Sequence, residues 1–277
     1  MAMNEPFDPQ RLQLETCVRQ VDYHDALDST SDRALKLAGA EDLQLPLLVL
    51  ADRQLAGRGR GDNRWWSGDG ALTFSLILPK HPAAASHRTA TQRETSVLAT
   101  PRPEGAFVSL GAAIAVERAI AATLPDCELR LKWPNDVYLQ RKKVCGVLVE
   151  SPAVARPVFV TGIGINVNNS LKGAPDEVRA RAISMCDAGG RSLDRNELLV
   201  RVLREFELIL SGLADGSLSL REMWTRACML QGRQVSVQSG GQITTGLCEG
   251  IDDDGNLLIR SGGGLVRCST GVIARSE

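Results

Sequence analysis

From Gly232 to its C-terminus the chain changes from long apolar and helical stretches to short runs of alternating polar and apolar residues. The runs QVSVQ, ITTGLCEGI, NLLIRS and GLVRCST are separated by glycines and by the turn Asp254-Gly255-Asn256. Alternation with a period of two places successive side chains on opposite faces of a strand. Four or five such strands within the last 46 residues predict a small β-barrel. We therefore predict two domains, residues 1–231 and 232–277.

The part before Gly232 mixes helical and strand-like patterns. Apolar residues at helical spacing, polar N-caps and flanking prolines predict its helices, and short apolar runs rich in β-branched residues predict its strands. The predicted helices cover Leu12–Val18, Ser31–Leu37, Phe107–Leu124, residues 195–213 behind Asp194, and Leu220–Met229. The predicted strands cover Leu45–Ala51, Ala71–Leu78, Leu129–Trp133, Val144–Glu150 and Val158–Val167, with a hairpin connection between the third and fourth.

Composition excludes several classes of protein. The formal net charge of −1 gives no global basic field for nucleic acid or an anionic membrane. The longest apolar run, Gly105–Val116, falls short of the ~20 residues that cross a bilayer. The first residues show no secretion or transit signal, so we predict a cytoplasmic protein. Seven scattered cysteines and three histidines predict reduced thiols and no protein-bound metal.

The loop from Gln54 to Trp66 is glycine-rich and cationic. Its glycines let backbone N–H groups approach an anion. Arg58, Arg60 and Arg64 supply permanently charged guanidinium groups that can donate two hydrogen bonds to one anion. A solvated surface loop has the same composition, but the two adjacent tryptophans, Trp65 and Trp66, favour a ligand site. The loop lacks the Gly-Lys-Ser/Thr ending of a Walker A motif.

Two further motifs carry candidate site residues. In the segment from Lys132 to Gly146, Lys143 begins an apolar strand, where a charge is costly unless it faces an anion. Surface lysines and ordinary turn residues account for the same segment without a ligand. The second motif, Gly162–Asn168, alternates glycine with apolar residues and leaves one strand face without side chains. That face suits either a ligand or tight strand packing.

Taken together, these motifs closely resemble those of the biotin protein ligases. The resemblance covers about residues 25–277. It rests on Asp28-Ser29-Thr30, Gln54-x-x-Gly57-Arg58-Gly59-Arg60, Lys132-Trp133-Pro134-Asn135-Asp136, Lys143-x-x-Gly146-x-Leu148-x-Glu150 and Gly162-x-Gly164-x-Asn166. It implies an α/β catalytic domain of the biotin/lipoate ligase type, that is, an α+β domain built on a mixed sheet. A small SH3-like β-barrel would follow it.

The resemblance also implies a reaction. Biotin and MgATP would give biotinyl-5′-AMP and pyrophosphate, and a lysine of a biotin carboxyl carrier domain of acetyl-CoA carboxylase would then take the biotinyl group. Only 28 residues precede Ser29, which implies a monofunctional enzyme without a DNA-binding domain and without DNA or membrane partners. Family members occur as monomers and as dimers, so both states stay open here.

Residue roles follow from the same resemblance. The implied catalytic residues are Lys143, Arg60 and Asp136. The implied biotin-binding residues are Ser29, Thr30, Ser31, Gln54, Gly57, Arg58, Gly59, Arg60, Lys143, Gly146, Gly162 and Gly164. The implied ATP-binding residues are Arg58, Arg60, Asn63, Trp65, Lys132, Asn135, Lys143 and Asn166. Mg²⁺ would arrive with the nucleotide.

Two departures from the family pattern and two alternatives remain. Residues 170–190 contain no tryptophan, so adenine packing would be aliphatic, and residues 79–104 form a long Pro/Ala/Ser/Thr-rich insertion that we predict to be exposed. A lipoate ligase or octanoyltransferase would share the fold, although the KWPND segment favours biotin. A non-catalytic module that grips a carrier protein is the other alternative, against which the presence of Arg60 and Lys143 argues.

Overall fold

The computed structural model describes residues 5–80 and 104–276 and contains two sheets. The first has seven strands. They are β1 (Gln20–Leu27), β2 (Leu47–Gln54), β3 (Leu72–Pro79), β4 (Leu129–Lys132), β5 (Asp136–Leu139), β6 (Lys142–Glu150) and β7 (Val158–Ile165). Their order across the sheet is β1-β2-β3-β7-β6-β5-β4. Only β1 and β2 run parallel, and every other neighbouring pair is antiparallel. The mixed sheet confirms the predicted fold class.

Helices cover most of one face of this sheet and part of the other. They are α1 (Pro9–Glu15), α2 (Thr30–Leu37), α3 (Glu104–Thr123), α4 (Asp176–Arg181), α5 (Met185–Gly189), α6 (Arg195–Asp215) and α7 (Leu220–Ala227). Helices α3 and α6 pack on each other over the large core, which includes Phe74, Ile163 and Phe206. Helix α2 packs with Leu47 and Val160 over a smaller core on the opposite face. The centre of that opposite face stays open and carries the cleft described below.

Helix α3 passes a length and composition test for a membrane span over Gly105–Thr123. The expectation that no segment is long and apolar enough was therefore wrong. It counted the uninterrupted apolar run to Val116 and not the whole helix, which tolerates Glu117 and Arg118. Many of its side chains, such as Ile114 and Ile120, are buried in the core beneath the sheet.

The second sheet is antiparallel and has five strands, where four or five were predicted. They are β8 (Gln234–Ser239), β9 (Gln242–Ile251), β10 (Leu257–Ser261), β11 (Gly264–Cys268) and β12 (Val272–Ser276), in the order β11-β10-β9-β8-β12. Within the described residues its edge strands β11 and β12 are not paired with each other, so no closed barrel is seen. This sheet packs against the first domain, where the Trp133 indole N–H donates to the Gly255 carbonyl over 3.1 Å.

Local expectations differ from the structure in four places. Strand β1 was missed because its polar alternation VDYHDAL resembles a loop, whereas its backbone pairs with β2 at the sheet edge. The connection after β4 is not one hairpin, since β5 lies within it. The first helix ends at Glu15 and not at Val18. Residues 170–190, where no helix was predicted, contain α4 and α5. The insertion predicted over residues 79–104 lies almost wholly outside the described residues.

Candidate functional site

A cleft of about 900 Å³ occupies the open face of the large sheet. Its floor consists of the central strands β6 and β7. Its walls are the N-terminus of α2, the loop from Gln54 to Trp66, the turn between β4 and β5, helix α4, and the start of β12. The cleft therefore lies where the two sheets meet, and residues distant in sequence line it together.

One end of the cleft carries a connected group made of buried hydroxyl side chains and the half-buried amide of Gln54. The Gln54 Oε1 atom accepts from the Thr30 backbone N–H at 2.7 Å and from its hydroxyl at 3.1 Å. The Ser75 hydroxyl donates to Thr30 Oγ1 at 2.9 Å and lies 3.1 Å from Ser31 Oγ. Ser29 caps helix α2 by accepting from the Asp32 N–H, and it does not line the cleft. The polar end thus offers hydroxyl and amide groups in fixed positions.

Ser75 is a residue of this group that the sequence analysis missed. It is fully buried in β3 and pairs across the sheet with Gly162. The signal in the sequence was a lone serine in the apolar run ALTFSLIL, where an unpaired hydroxyl would be costly. Its cost is offset by the two hydroxyl partners, which become visible only once α2 lies over β3.

We expect Ser75→Ala to lower the free energy of unfolding by about 1–3 kcal/mol, because Thr30 and Ser31 lose a buried partner. Biotin affinity should fall as well, since those hydroxyls would no longer be held in place. Urea unfolding and calorimetric titration with biotin measure the two effects. Ser109→Ala, at a half-buried serine of helix α3 that does not line the cleft, is the matched control. Wild-type biotin affinity in Ser75→Ala would show that Ser75 does not orient the site.

The floor of the cleft lacks side chains where three glycines face into it. Gly146 and Gly164 pair across β6 and β7, and Gly162 lies beside the polar end. A Cβ at Gly162 would clash with Ser31 Oγ. A Cβ at Gly164 would lie 2.7 Å from Nε1 and 2.8 Å from Cζ2 of Trp65, so the indole ring packs directly on the strand. A glycine is required at this position because the aromatic ring approaches the strand so closely.

The cationic loop is held down by Arg58. Its guanidinium group pairs with Asp32 Oδ1 at 2.7 Å and with Glu150 Oε2 at 2.5 Å, which ties the loop to α2 and β6. Gly57 lies behind the cleft wall, and its carbonyl accepts from the Trp65 N–H at 2.9 Å. Arg60 lines the cleft and forms no side-chain hydrogen bond or ion pair with the described part of the chain. Arg58 therefore anchors the loop, whereas Arg60 presents an uncompensated charge to the cleft.

The other end of the cleft is cationic. Lys143 Nζ pairs with Asp136 Oδ1 at 2.6 Å, and the missing side chain at Gly146 leaves room for the lysine. Lys132, on β4 beyond the intervening strand β5, has its ammonium 5.5 Å from the centre of the Tyr138 ring. Burial lowers the pKa of Lys132, and Lys143 and Arg181 lower it further against the opposing effect of Asp136. Cations thus outnumber carboxylates where these side chains converge.

Asn135 and Asn166, two of the three predicted asparagines, form hydrogen bonds within the chain. The Asn135 side-chain amide donates to the Val147 carbonyl, which joins the turn after β4 to β6. The buried Asn166 accepts from Asn169 Nδ2 at 3.0 Å, and its backbone carbonyl accepts from the Met185 N–H at 2.9 Å. Near this end, Val178 and Ala182 also line the cleft and provide aliphatic surface.

The structure brings most of the predicted site residues together. Of the eighteen, sixteen line the cleft, and Ser29 and Gly57 support it from behind. Further lining residues that the sequence analysis did not assign include Tyr138, Leu148, Arg181 and Val272. Across residues 5–80 and 104–276 no group of three or more His, Cys, Asp or Glu side chains is arranged to hold a metal ion.

Comparison with known proteins identifies the family. Residues 23–168 match the model of the biotin/lipoate A/B protein ligase family, and residues 231–275 match that of the biotin protein ligase C-terminal domain. The chain therefore belongs to the biotin/lipoate A/B protein ligase family.

Individual relatives agree with this assignment. The chain is 32% identical over 259 residues to the biotin–[acetyl-CoA-carboxylase] ligase of Mycobacterium tuberculosis, covering 92% of this chain and 88% of that protein. It is 31% identical over 258 residues to the Bacillus subtilis bifunctional ligase/repressor BirA, covering 92% of this chain and 73% of that protein. The biotin protein ligase of Aquifex aeolicus in complex with biotin and ATP superposes with a TM-score of 0.74 at 27% identity, covering 94% of this chain and all of that one.

Proposed function

We propose that the protein activates biotin with MgATP to form biotinyl-5′-AMP and transfers the biotinyl group to a lysine of a biotin carboxyl carrier domain. Relatives named biotin–[acetyl-CoA-carboxylase] ligase and a similar structure with bound biotin and ATP support the reaction and point to acetyl-CoA carboxylase as the source of the acceptor. The match of residues 231–275 to a biotin ligase domain favours biotin over lipoate.

The observation that carries the proposal is the polarity of the cleft. Hydroxyl and amide groups of Thr30 and Gln54 lie at one end, a glycine floor lies in the middle, and Lys143 lies at the other end. Biotin has the same three parts in the same order, a polar ureido ring, an apolar body and a carboxylate. A mostly apolar pocket with a few placed polar groups suits such a ligand.

The first step joins two anions. A biotin carboxylate oxygen attacks the α-phosphorus of ATP, and the bond to the departing pyrophosphate breaks. Like-charge repulsion opposes this attack, and a fixed cation beside the reacting oxygens stabilises the charge that builds in the transition state. We assign this role to Lys143, with Arg60 closing over the phosphates. Mg²⁺ accompanies the nucleotide as part of the substrate.

The second step is acyl transfer. The acceptor lysine amine attacks the acyl carbon of the mixed anhydride, AMP departs, and the amine loses a proton. We assign Asp136 to receive or orient this amine, because its carboxylate lies at the cleft and already holds Lys143 at 2.6 Å. A loop closed over the adenylate excludes water until the acceptor arrives.

The remaining contacts are assigned by position. We assign biotin contacts to Thr30, Ser31, Gln54 and the floor glycines, and ATP contacts to Asn63, Trp65, Lys132 and Asn166. Asn135, Arg58 and Gly57 would act by holding backbone. Val178 and Ala182 would pack against adenine.

The domain boundary at residue 231, the cytoplasmic location, the subunit state and the lack of DNA or membrane partners stay predictions.

Calorimetric titration with biotin, then with biotin and MgATP, followed by mass spectrometry of the bound species, tests the proposal. We expect biotin to bind and the biotinyl-5′-AMP mass to appear only with the nucleotide. Binding of lipoate or octanoate in place of biotin would overturn the substrate within the same family. Biotin binding without adenylate formation would favour a non-catalytic carrier-binding module.

A further inference from the structure

Helix α4 is fastened beside the cationic end of the cleft. The Ile183 N–H, just after the helix, donates to the Lys143 carbonyl at 3.1 Å, and Ala182 forms a parallel bridge with Lys143. Val178, Arg181 and Ala182 all line the cleft, and residues three and four positions apart lie on one face of a helix. The backbone therefore places this face of α4, which carries Arg181, next to Lys143.

The two arginines of this helix differ in their partners. Arg179 pairs with Asp176 and donates to the Lys172 carbonyl at 3.3 Å, and it does not line the cleft. Arg181 is exposed in the cleft. Among the residues that the structure describes, its side chain has no hydrogen-bond or ion-pair partner, and Glu177 one turn earlier is no exception. The guanidinium group of Arg181 is therefore free to bind a ligand in the cleft.

Like charges converge beside Arg181. Lys132 and Lys143 line the same end of the cleft, and Arg181 is close enough to Lys132 to lower the pKa of its ammonium group. Asp136 pairs with Lys143 and offsets one of these three charges, and Glu177 is the further carboxylate on the α4 wall. Positive charge stays in excess when both are counted. This end of the cleft therefore favours an anion with several charges.

We propose that Arg181 binds the triphosphate of ATP from the α4 wall of the cleft. The assignment rests on the proposed function, in which Lys143 lies at the reacting phosphate and Arg60 reaches the phosphates from the cationic loop. A guanidinium group donates two parallel hydrogen bonds to phosphate oxygens and keeps its charge throughout the reaction. Arg181 is thus a substrate-binding residue that holds the nucleotide from a second wall while the biotin carboxylate attacks.

Calorimetric titration of the biotin-saturated protein with α,β-methylene-ATP and Mg²⁺ tests the assignment. A carbon bridge in this analogue replaces the oxygen at which ATP would break, so binding is measured without adenylate formation. We expect Arg181→Gln to raise the Kd for the analogue about tenfold, because charge-assisted hydrogen bonds are lost. Arg181→Lys should recover most of the affinity, since an ammonium group still pairs with phosphate. The Kd for biotin should stay at the wild-type value in both variants.

Arg179→Gln is the matched control, because Arg179 lies on the same helix and does not line the cleft. It should bind the analogue as the wild type does. Biotin-dependent exchange of pyrophosphate into ATP gives a second readout, in which Arg181→Gln should raise KM for ATP more than it lowers kcat.

The outcomes that contradict the assignment differ from those that contradict the proposed function. A wild-type Kd for the analogue in Arg181→Gln would overturn the assignment and leave the proposed function standing. Equal losses in Arg181→Gln and Arg181→Lys would also overturn it, because they would indicate that the guanidinium plane stacks on the adenine ring. A wild-type protein that binds neither the analogue nor MgATP would overturn the proposed function itself.

Discussion

Lys143→Ala is expected to slow adenylate formation by about 10²–10³-fold, the loss typical when one preorganised group that stabilises transition-state charge is removed. Lys143 pairs with Asp136 at 2.6 Å at the cationic end of the cleft. Without its ammonium group the attack of carboxylate on phosphate would proceed against unreduced repulsion. Biotin-dependent exchange of pyrophosphate into ATP measures this step without the acceptor.

The fold should tolerate this change. Lys143 is one-third exposed and its partner Asp136 is 22% exposed, and ion pairs this close to solvent contribute about 0–1 kcal/mol. Lys142→Ala is the matched control, because Lys142 is the exposed neighbour on the same strand and does not line the cleft. We expect wild-type exchange in that variant and a wild-type Tm in both. Unchanged exchange in Lys143→Ala would remove Lys143 from the chemistry of the first step.

A substitution of Asp136 should affect the two chemical steps to different extents. If its carboxylate serves the acceptor lysine, Asp136→Asn should slow transfer from preformed biotinyl-5′-AMP more than it slows pyrophosphate exchange. Both rates are measured on one preparation, with exchange for the first step and mass change of the carrier domain for the second. Equal losses in the two rates would instead indicate that Asp136 acts only by holding Lys143.

The sequence patterns predicted individual helices and strands better than they predicted which strands pair with each other. Helix α6 was predicted from its apolar spacing and its Asp194 cap, because both signals lie within a few residues. Strand β1 was missed because its pairing with β2, and not its side chains, makes it a strand. Closure of the second sheet into a barrel was expected from strand number alone, whereas pairing of its two edges depends on how far the sheet curls.

The candidate site shows the same division. Separate motifs supplied Gln54, Lys143 and Gly162, and the resemblance joined them into one cleft. Ser75 was not predicted, because a lone serine in a strand has no hydrogen-bond partner nearby in sequence. Its partners are in place only once α2 lies across β3. Arg58 was predicted as a ligand contact, and only the folded chain places two carboxylates around its guanidinium group. Side chains whose partners lie far along the chain are the ones that sequence patterns describe least.

Gly164→Ala is expected to raise the Kd for biotin by about ten- to hundredfold. The added methyl group would lie 2.7 Å from Trp65 Nε1, so the indole must leave the floor, and overpacking of this kind costs about 1–3 kcal/mol. Calorimetric titration gives the Kd. Gly105→Ala is the matched control, since the nearest atom to its Cβ, Phe159 Cε1, is 3.8 Å away.

The smaller ring of Trp65→Phe should restore part of the affinity lost in Gly164→Ala, because it leaves room for the methyl group. The double variant should therefore bind biotin more tightly than the sum of the two single losses predicts. Strict additivity would mean that Gly164 and Trp65 affect biotin independently, and wild-type affinity in Gly164→Ala would place biotin away from this floor. A coupling between these positions would instead tie the cationic loop, which carries Trp65, to the strand beneath the ligand.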